Sequence, residues 1–174
     1  MGKVTLVSGG ARCGKSEYSL KLAQPYTRRF FIATAIAFDD EMTVRIENHQ
    51  RQRGDRYETI EEPWDLVRAL QSVSGRADIA VVDCLTVWMG NLFFRHEQQP
   101  ELIDKYLSGF VSDLKMYEFD LILVTNEVGW GIIPDNATAR MYRDYAGRLN
   151  SQVATLADSL ILMVCGQPLY VKGS

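Results

Sequence analysis

The chain has no surplus of positive charge, no cysteines at metal-ligand spacing and no apolar run of membrane-spanning length. Its 19 Lys and Arg face 22 Asp and Glu, for a formal net charge of −3. That balance excludes the electrostatic footprint of a nucleic-acid or membrane-surface binder. Cys13, Cys84 and Cys165 are odd in number and far apart, so free thiols in a reducing cytoplasm are expected rather than a disulfide framework or a zinc site. No stretch reaches the ~20 apolar residues of a membrane helix. The first residues read as a strand, so no signal peptide is expected. Internal repeats, low-complexity tracts and linkers are missing as well. What remains is an ordinary globular composition, 47% apolar over 174 residues, large enough for one domain with a substantial core.

Residues Gly9-Gly10-Ala11-Arg12-Cys13-Gly14-Lys15-Ser16 fit the phosphate-loop pattern G-x-x-x-x-G-K-[ST]. The run before them, Lys3 to Ser8, is apolar and β-branched. The run after them places Tyr18 with Leu22, and Leu20 with Ala23, at helical spacings. Strand, glycine turn and helix form the context in which this pattern binds a nucleotide. Glycines let the amides approach an anion closely, and the helix start adds its positive dipole end. Lys15 is then expected to reach the β- and γ-phosphates and Ser16 to hold Mg²⁺.

Strands are also expected at Arg29 to Ala35, Ile79 to Asp83, Asp120 to Thr125, Leu160 to Val164 and Leu169 to Lys172, with a short extended segment at Arg56 to Ile60. Helical spacing recurs from Met42 to about Gln52, from Pro63 through Leu70, over Thr86 to Phe94, over Glu101 to Met116 and over Ala137 to Ala157. Asp39, Asp40 and Glu41 open the first of these helices and Gly54 ends it. Alternating strands and helices imply an α/β fold: a mostly parallel, RecA-like phosphate-loop sheet with helices on both faces. Gly166-Gln167-Pro168 turns the chain into a closing antiparallel hairpin. The domain reading is a single phosphate-loop nucleotide-binding unit over residues 1–174. Asp83, an acid that closes an apolar strand, is a candidate Mg²⁺ ligand, directly or through water.

Of the two histidines, His49 has the more telling neighbours. Arg45, His49 and Arg53 fall four apart and share one helix face. Two guanidiniums disfavour the charged imidazole, and a neutral imidazole is a competent nucleophile toward phosphorus. The same spacing also describes a solvated basic face with an incidental histidine. His96 carries no functional reading.

The chain resembles the bifunctional adenosylcobinamide kinase / adenosylcobinamide-phosphate guanylyltransferase family of cobalamin biosynthesis. The resemblance runs from GGARCGKS at Gly9 to Ser16 through IATA at Ile32 to Ala35 and DDEM at Asp39 to Met42. It continues through R-I-x-x-H-x-x-x-R at Arg45 to Arg53 and T-x-E-E-P at Thr59 to Pro63. Its most distinctive stretch is TNEVGWGIIP at Thr125 to Pro134, followed by Arg140, Arg143, Asp144, Gly147 and Asn150 and the PLYVK tail.

The resemblance implies two reactions at one nucleotide site. The aminopropanol hydroxyl of adenosylcobinamide takes the γ-phosphoryl group of ATP or GTP. His49 then attacks the α-phosphorus of GTP, and the substrate phosphate takes GMP from the guanylyl-histidine to give adenosylcobinamide-GDP. It further implies nucleotide contacts at Gly9 to Ser16, Ala33, Thr34, Ala35, Gln50, Arg51, Gln52, Arg53 and Glu61. Asp83 takes the acidic position beside the metal, and His49 and Lys15 are the catalytic pair. The Thr125 to Pro134 loop is a candidate for the corrinoid side, with Glu127 or Asn126 ordering the substrate hydroxyl. Trimers with nucleotide sites between subunits are implied by resemblance alone. Two other readings are compatible with the loop motif: a small-molecule kinase or NTPase in which His49 is structural, and a non-catalytic RecA-like module.

Overall fold

The computed structural model describes residues 1–96 and 99–173, without the side chains of Glu41, Arg45 and Gln52. The strands are β1 (Val4–Gly9), β2 (Arg29–Ala33), β3 (Glu58–Glu61), β4 (Ile79–Asp83), β5 (Asp120–Val124), β6 (Ser159–Val164) and β7 (Gln167–Lys172). They form one sheet in the order β3-β2-β4-β5-β1-β6-β7. Neighbours are parallel except β6 and β7, which pair as the antiparallel hairpin. The helices are α1 (Lys15–Ala23), α2 (Asp40–Arg53), α3 (Leu66–Ser72), α4 (Leu85–Arg95), α5 (Pro100–Asp113) and α6 (Ala137–Leu156). No helix among the described residues is long and apolar enough to cross a membrane.

Strand periodicity of two divides the core between the sheet's faces. Leu6, Phe30, Ile32, Ala80, Val82, Leu121 and Leu123 point to the side covered by α3, α4, α5 and α6, where Trp88 and Phe110 fill the layer. Val7, Phe31, Ile79, Val81, Ile122 and Val124 point to the opposite side and pack with Ala23, Leu20 and Leu22 of α1. Central strands buried on both faces explain why β4 and β5 read as unbroken apolar runs.

Two local expectations are corrected. The helix expected to start at Pro63 begins at Leu66, because carboxylates cap the backbone twice in succession. Glu62 accepts from the Trp64 and Asp65 amides (2.9 and 3.0 Å), and Asp65 accepts from the Arg68 amide (3.0 Å). The Pro63 and Trp64 carbonyls are then taken by the Asn91 amide (3.1 Å) and the Trp88 indole (2.8 Å) rather than by a helical ladder. The hairpin turn is the pair Cys165-Gly166, both at positive φ (50° and 80°), the signature of a two-residue primed turn. Gln167 and Pro168 already belong to β7. Pro168 is tolerated there because β7 is an edge strand.

Candidate active site

The carboxyl ends of β2, β3 and β4 meet the start of α1 and the length of α2 in a cleft of about 460 Å³. This is where open α/β sheets bind ligands. The phosphate loop reaches this cleft at Ser16. Gly14 caps α1 at φ 91° and the Tyr18 amide donates to its carbonyl at 3.0 Å. At Gly9, φ is 147°, and an added Cβ would lie 2.7 Å from the Met163 carbonyl oxygen and 2.8 Å from Cys13 Sγ. No side chain fits there without displacing backbone. Ala11 and Arg12 stand exposed at the tip of the loop. Lys15 is buried, and its ammonium reaches back to the Gly10 carbonyl (2.5 Å) and lies 3.6 Å from Cys13 Sγ. Ser16 lines the cleft.

One wall of the cleft is a stripe of α2. Met42, Ile46, His49, Gln50 and Arg53 all line the cleft, at the 3.6-residue repeat of a helix whose start is fixed by Asp39. That carboxylate accepts from the Met42 amide at 2.7 Å. Helical spacing therefore puts His49 and Arg53 on the face that lines the cleft. Gln50 donates to Glu61 at the end of β3 (3.4 Å). Arg51 instead lies on the solvent side, paired with Glu47 at 3.2 Å. The Arg45 and Gln52 side chains lie outside the described residues.

Arg53 is the electrostatic centre of this wall. It is 4% exposed, its guanidinium lies 3.9 Å from the centre of the Phe31 ring, and its Nε has no hydrogen-bond partner. Burial pulls its pKa below the ordinary value, while the Asp83 and Glu61 carboxylates pull it back up. A guanidinium stays charged under such conditions, so a fixed cation lines the cleft together with His49. Phe31 is held from behind by the edge of Tyr57 (6.4 Å), whose hydroxyl donates to the Leu20 carbonyl at 2.9 Å. Nothing in the sequence pattern points to the stack of Arg53 on Phe31.

Ala33 and Ala35 line the cleft, whereas Thr34 turns inward. Its hydroxyl accepts from the Cys84 amide (2.8 Å) and donates to the Cys84 carbonyl (3.0 Å), tying the end of β2 to that of β4. Burial, and then the adjacent charge of Asp83, pushes the Cys84 thiol up to about 11, so it remains protonated and is no nucleophile. Asp83 and Ser16 both line the cleft. Asp83 Oδ2 is buried without a hydrogen-bond partner, and an orphaned carboxylate oxygen of this kind fits a hard cation. No group of three or more His, Cys, Asp or Glu gathers among the described residues. The Asp83 carboxylate and Ser16 hydroxyl would suit an ion completed by water and phosphate oxygens.

With this geometry in place, sequence comparison decides the lineage. The family model "Cobinamide kinase / cobinamide phosphate guanyltransferase" matches residues 5–171. The chain belongs to this family. The bifunctional adenosylcobalamin biosynthesis protein CobU of Escherichia coli K12 is 32% identical over 178 residues, covering 96% of this chain and 98% of that protein. The protein of the same name from Salmonella typhimurium LT2 is 35% identical, with the same coverage. CobP of Pseudomonas aeruginosa PAO1 is 36% identical over 97% of this chain and 96% of its own length. Among solved structures, the RadB recombinase superposes with a TM-score of 0.51 at 14% identity, over 92% of this chain and 73% of that one. That likeness supports the RecA-like fold and nothing further. Membership of the cobinamide kinase family favours the bifunctional reading over a generic kinase or NTPase.

Beyond the cleft, the family's Thr125 to Pro134 stretch emerges from β5 beside the phosphate loop. The Thr125 amide donates to Val7 and the Glu127 amide to Gly9 (3.0 and 3.1 Å). Asn126 is tied to Thr86 Oγ1 through its side-chain nitrogen (2.8 Å) and its amide (3.2 Å). Past these anchors the loop presents Trp130, Ile132 and Ile133 to solvent, at 73, 96 and 64% exposure.

Proposed function

We infer that this chain carries both reactions of its family: phosphorylation of adenosylcobinamide by ATP or GTP, then transfer of GMP from GTP to the new phosphate. The observation that carries the reading is the shared cleft. His49, Arg53 and Asp83 line one cleft with Ser16, the last residue of the phosphate-loop motif, so one bound triphosphate can offer its γ-phosphorus at one end and its α-phosphorus to an imidazole at the other. Phosphoryl and nucleotidyl transfer need positioning and charge neutralisation more than covalent machinery, and the residues present supply both.

In the guanylyl step, an unprotonated His49 nitrogen attacks the α-phosphorus, and pyrophosphate leaves toward the phosphate loop. Lys15 and the amides at Gly10 to Ser16 hold the departing charge. Arg53 neutralises charge developing at the α-phosphate from a site that water does not reorganise. Gln50 and Glu61, joined at the cleft rim, are placed to read the base edge. Asp83 and Ser16 would hold Mg²⁺, which supplies Lewis-acid neutralisation of the phosphate oxygens when bound. The substrate phosphate then attacks the phosphoramidate, and His49 leaves as a neutral imidazole once protonated.

Trp130, Ile132 and Ile133 are exposed on the stretch that follows β5, and such apolar side chains suit a large, partly apolar corrinoid. A homotrimer and a cytoplasmic setting complete the proposal on family resemblance. The direct test is product analysis by mass spectrometry. Adenosylcobinamide with ATP, GTP and Mg²⁺ should yield the phosphate and then the GDP adduct. Accumulation of the phosphate alone would leave a kinase without the transferase step.

A further inference from the structure

Three carboxylates stand at the carboxyl edge of the sheet near the nucleotide cleft. Asp83 ends β4 and Glu61 ends β3, and both line the α2 side of the cleft. The third, Glu127, follows β5, which lies between β4 and the phosphate-loop strand β1. It is fixed to that strand and to α6 by three hydrogen bonds. Its amide donates to the Gly9 carbonyl (3.1 Å), and its Oε1 accepts from the Ser8 hydroxyl (2.8 Å) and from Asn150 Nδ2 (3.2 Å). Asn150 is itself held, accepting from the buried Thr125 hydroxyl at 2.7 Å. Both side-chain contacts engage the same carboxylate oxygen. Among the described residues, Oε2 has no hydrogen-bond partner. Asn126 differs, because its side-chain nitrogen is already donated to Thr86.

We propose that Glu127 is the general base of the kinase step, its Oε2 taking the proton of the substrate hydroxyl. The assignment rests on the kinase reading above. The carboxylate sits where the strand leading into the phosphate loop meets the stretch that exposes Trp130, Ile132 and Ile133. In the step, the hydroxyl oxygen forms a bond to the γ-phosphorus and its proton passes to Oε2. The bond from the γ-phosphorus to the β–γ bridging oxygen breaks, and its electron pair leaves on the nucleoside diphosphate. Ser8 and Asn150 hold Oε1, which restrains rotation of the carboxylate. The guanylyl step needs no proton from an alcohol and does not use Glu127.

The test is Glu127→Gln, which retains an acceptor for Ser8 and Asn150 and replaces only the basic oxygen. Kinase kcat with adenosylcobinamide and ATP should fall by about 10²–10⁴-fold, with nucleotide KM within about threefold of wild type. Labelling of His49 by α-labelled GTP should proceed at the wild-type rate. In wild type, kinase kcat should fall at acid pH as a carboxylate is protonated. Glu127→Asp should keep that acid limb at a reduced rate. A Glu127→Gln enzyme with wild-type kinase turnover overturns the assignment and leaves the family reading intact. Equal losses of turnover and His49 labelling would make Glu127 a structural anchor instead, and so would a Glu127→Asp enzyme with no acid limb. Absence of kinase turnover in wild type would overturn both the assignment and the reading beneath it.

Discussion

Replacing Arg53 by Met separates what this residue does for the fold from what it does for the chemistry. The side chain is 4% exposed and stacks 3.9 Å from the centre of the Phe31 ring. Losing a partly desolvated cation–π contact costs about 0.5–2 kcal/mol. Against that, the substitution removes a buried charge whose Nε has no partner, and a thioether of similar length refills the space over Phe31. The two effects oppose, so the net stability change should stay within about 1.5 kcal/mol. In a chain of this size that is a melting shift of no more than about 6 °C. For the chemistry nothing compensates. Removing one preorganised donor from a developing phosphate charge costs about 2.7–4 kcal/mol, or 10²–10³ in rate. Thermal denaturation followed by circular dichroism and single-turnover labelling with α-labelled GTP measure the two effects on one preparation. A melting point lowered by well over 10 °C, or a labelling rate within about threefold of wild type, would refute the reasoning.

Gly9→Ala should lower nucleotide affinity by about tenfold or more, since strain of about 1–3 kcal/mol is expected at this φ. The added Cβ meets backbone rather than a flexible side chain, and calorimetric titration with GTP checks it. Trp130→Ala should raise the KM for adenosylcobinamide while leaving His49 labelling unchanged, and steady-state kinase assays with varied corrinoid measure it. Asp158 is held below the ordinary carboxylate range, first by the Lys115 hydrogen bond and then by the Val4 amide. Its folded pKa is depressed, so its contribution is present above the unfolded pKa of about 3.9 and is lost as pH falls through the lower folded value. Asp158→Asn should therefore destabilise by about 1 kcal/mol at neutral pH, discounted for solvent screening. Urea denaturation should find that difference closing toward pH 3.

Local, contiguous features of the fold and site are legible in the sequence. The phosphate loop is eight consecutive residues, and its function depends on their backbone. Asp83 is marked by ending an apolar strand, and β4 ends there. The His49 face follows from helical periodicity once Asp39 and Gly54 bracket the helix. Features made by distant residues are not legible in this way. Phe31 under Arg53 joins a strand to a helix 22 positions later, and the choice of Phe31 over Phe30 depends on strand parity relative to the sheet's two faces. The Ser8–Glu127 bond spans 119 positions. At Pro63 the preference of proline for a first helical turn loses to the successive caps at Glu62 and Asp65. The signal is present in two acids three residues apart.

The central claim is that one triphosphate pocket serves two attacking groups, one of them the imidazole of His49. Wild-type protein incubated with Mg²⁺ and GTP labelled at the α-phosphorus should acquire one acid-labile, alkali-stable label, which peptide mapping places on His49. His49→Ala should stay unlabelled while still phosphorylating adenosylcobinamide. A wild-type protein that takes up no label, or a His49→Ala protein that labels as well as wild type, would contradict it.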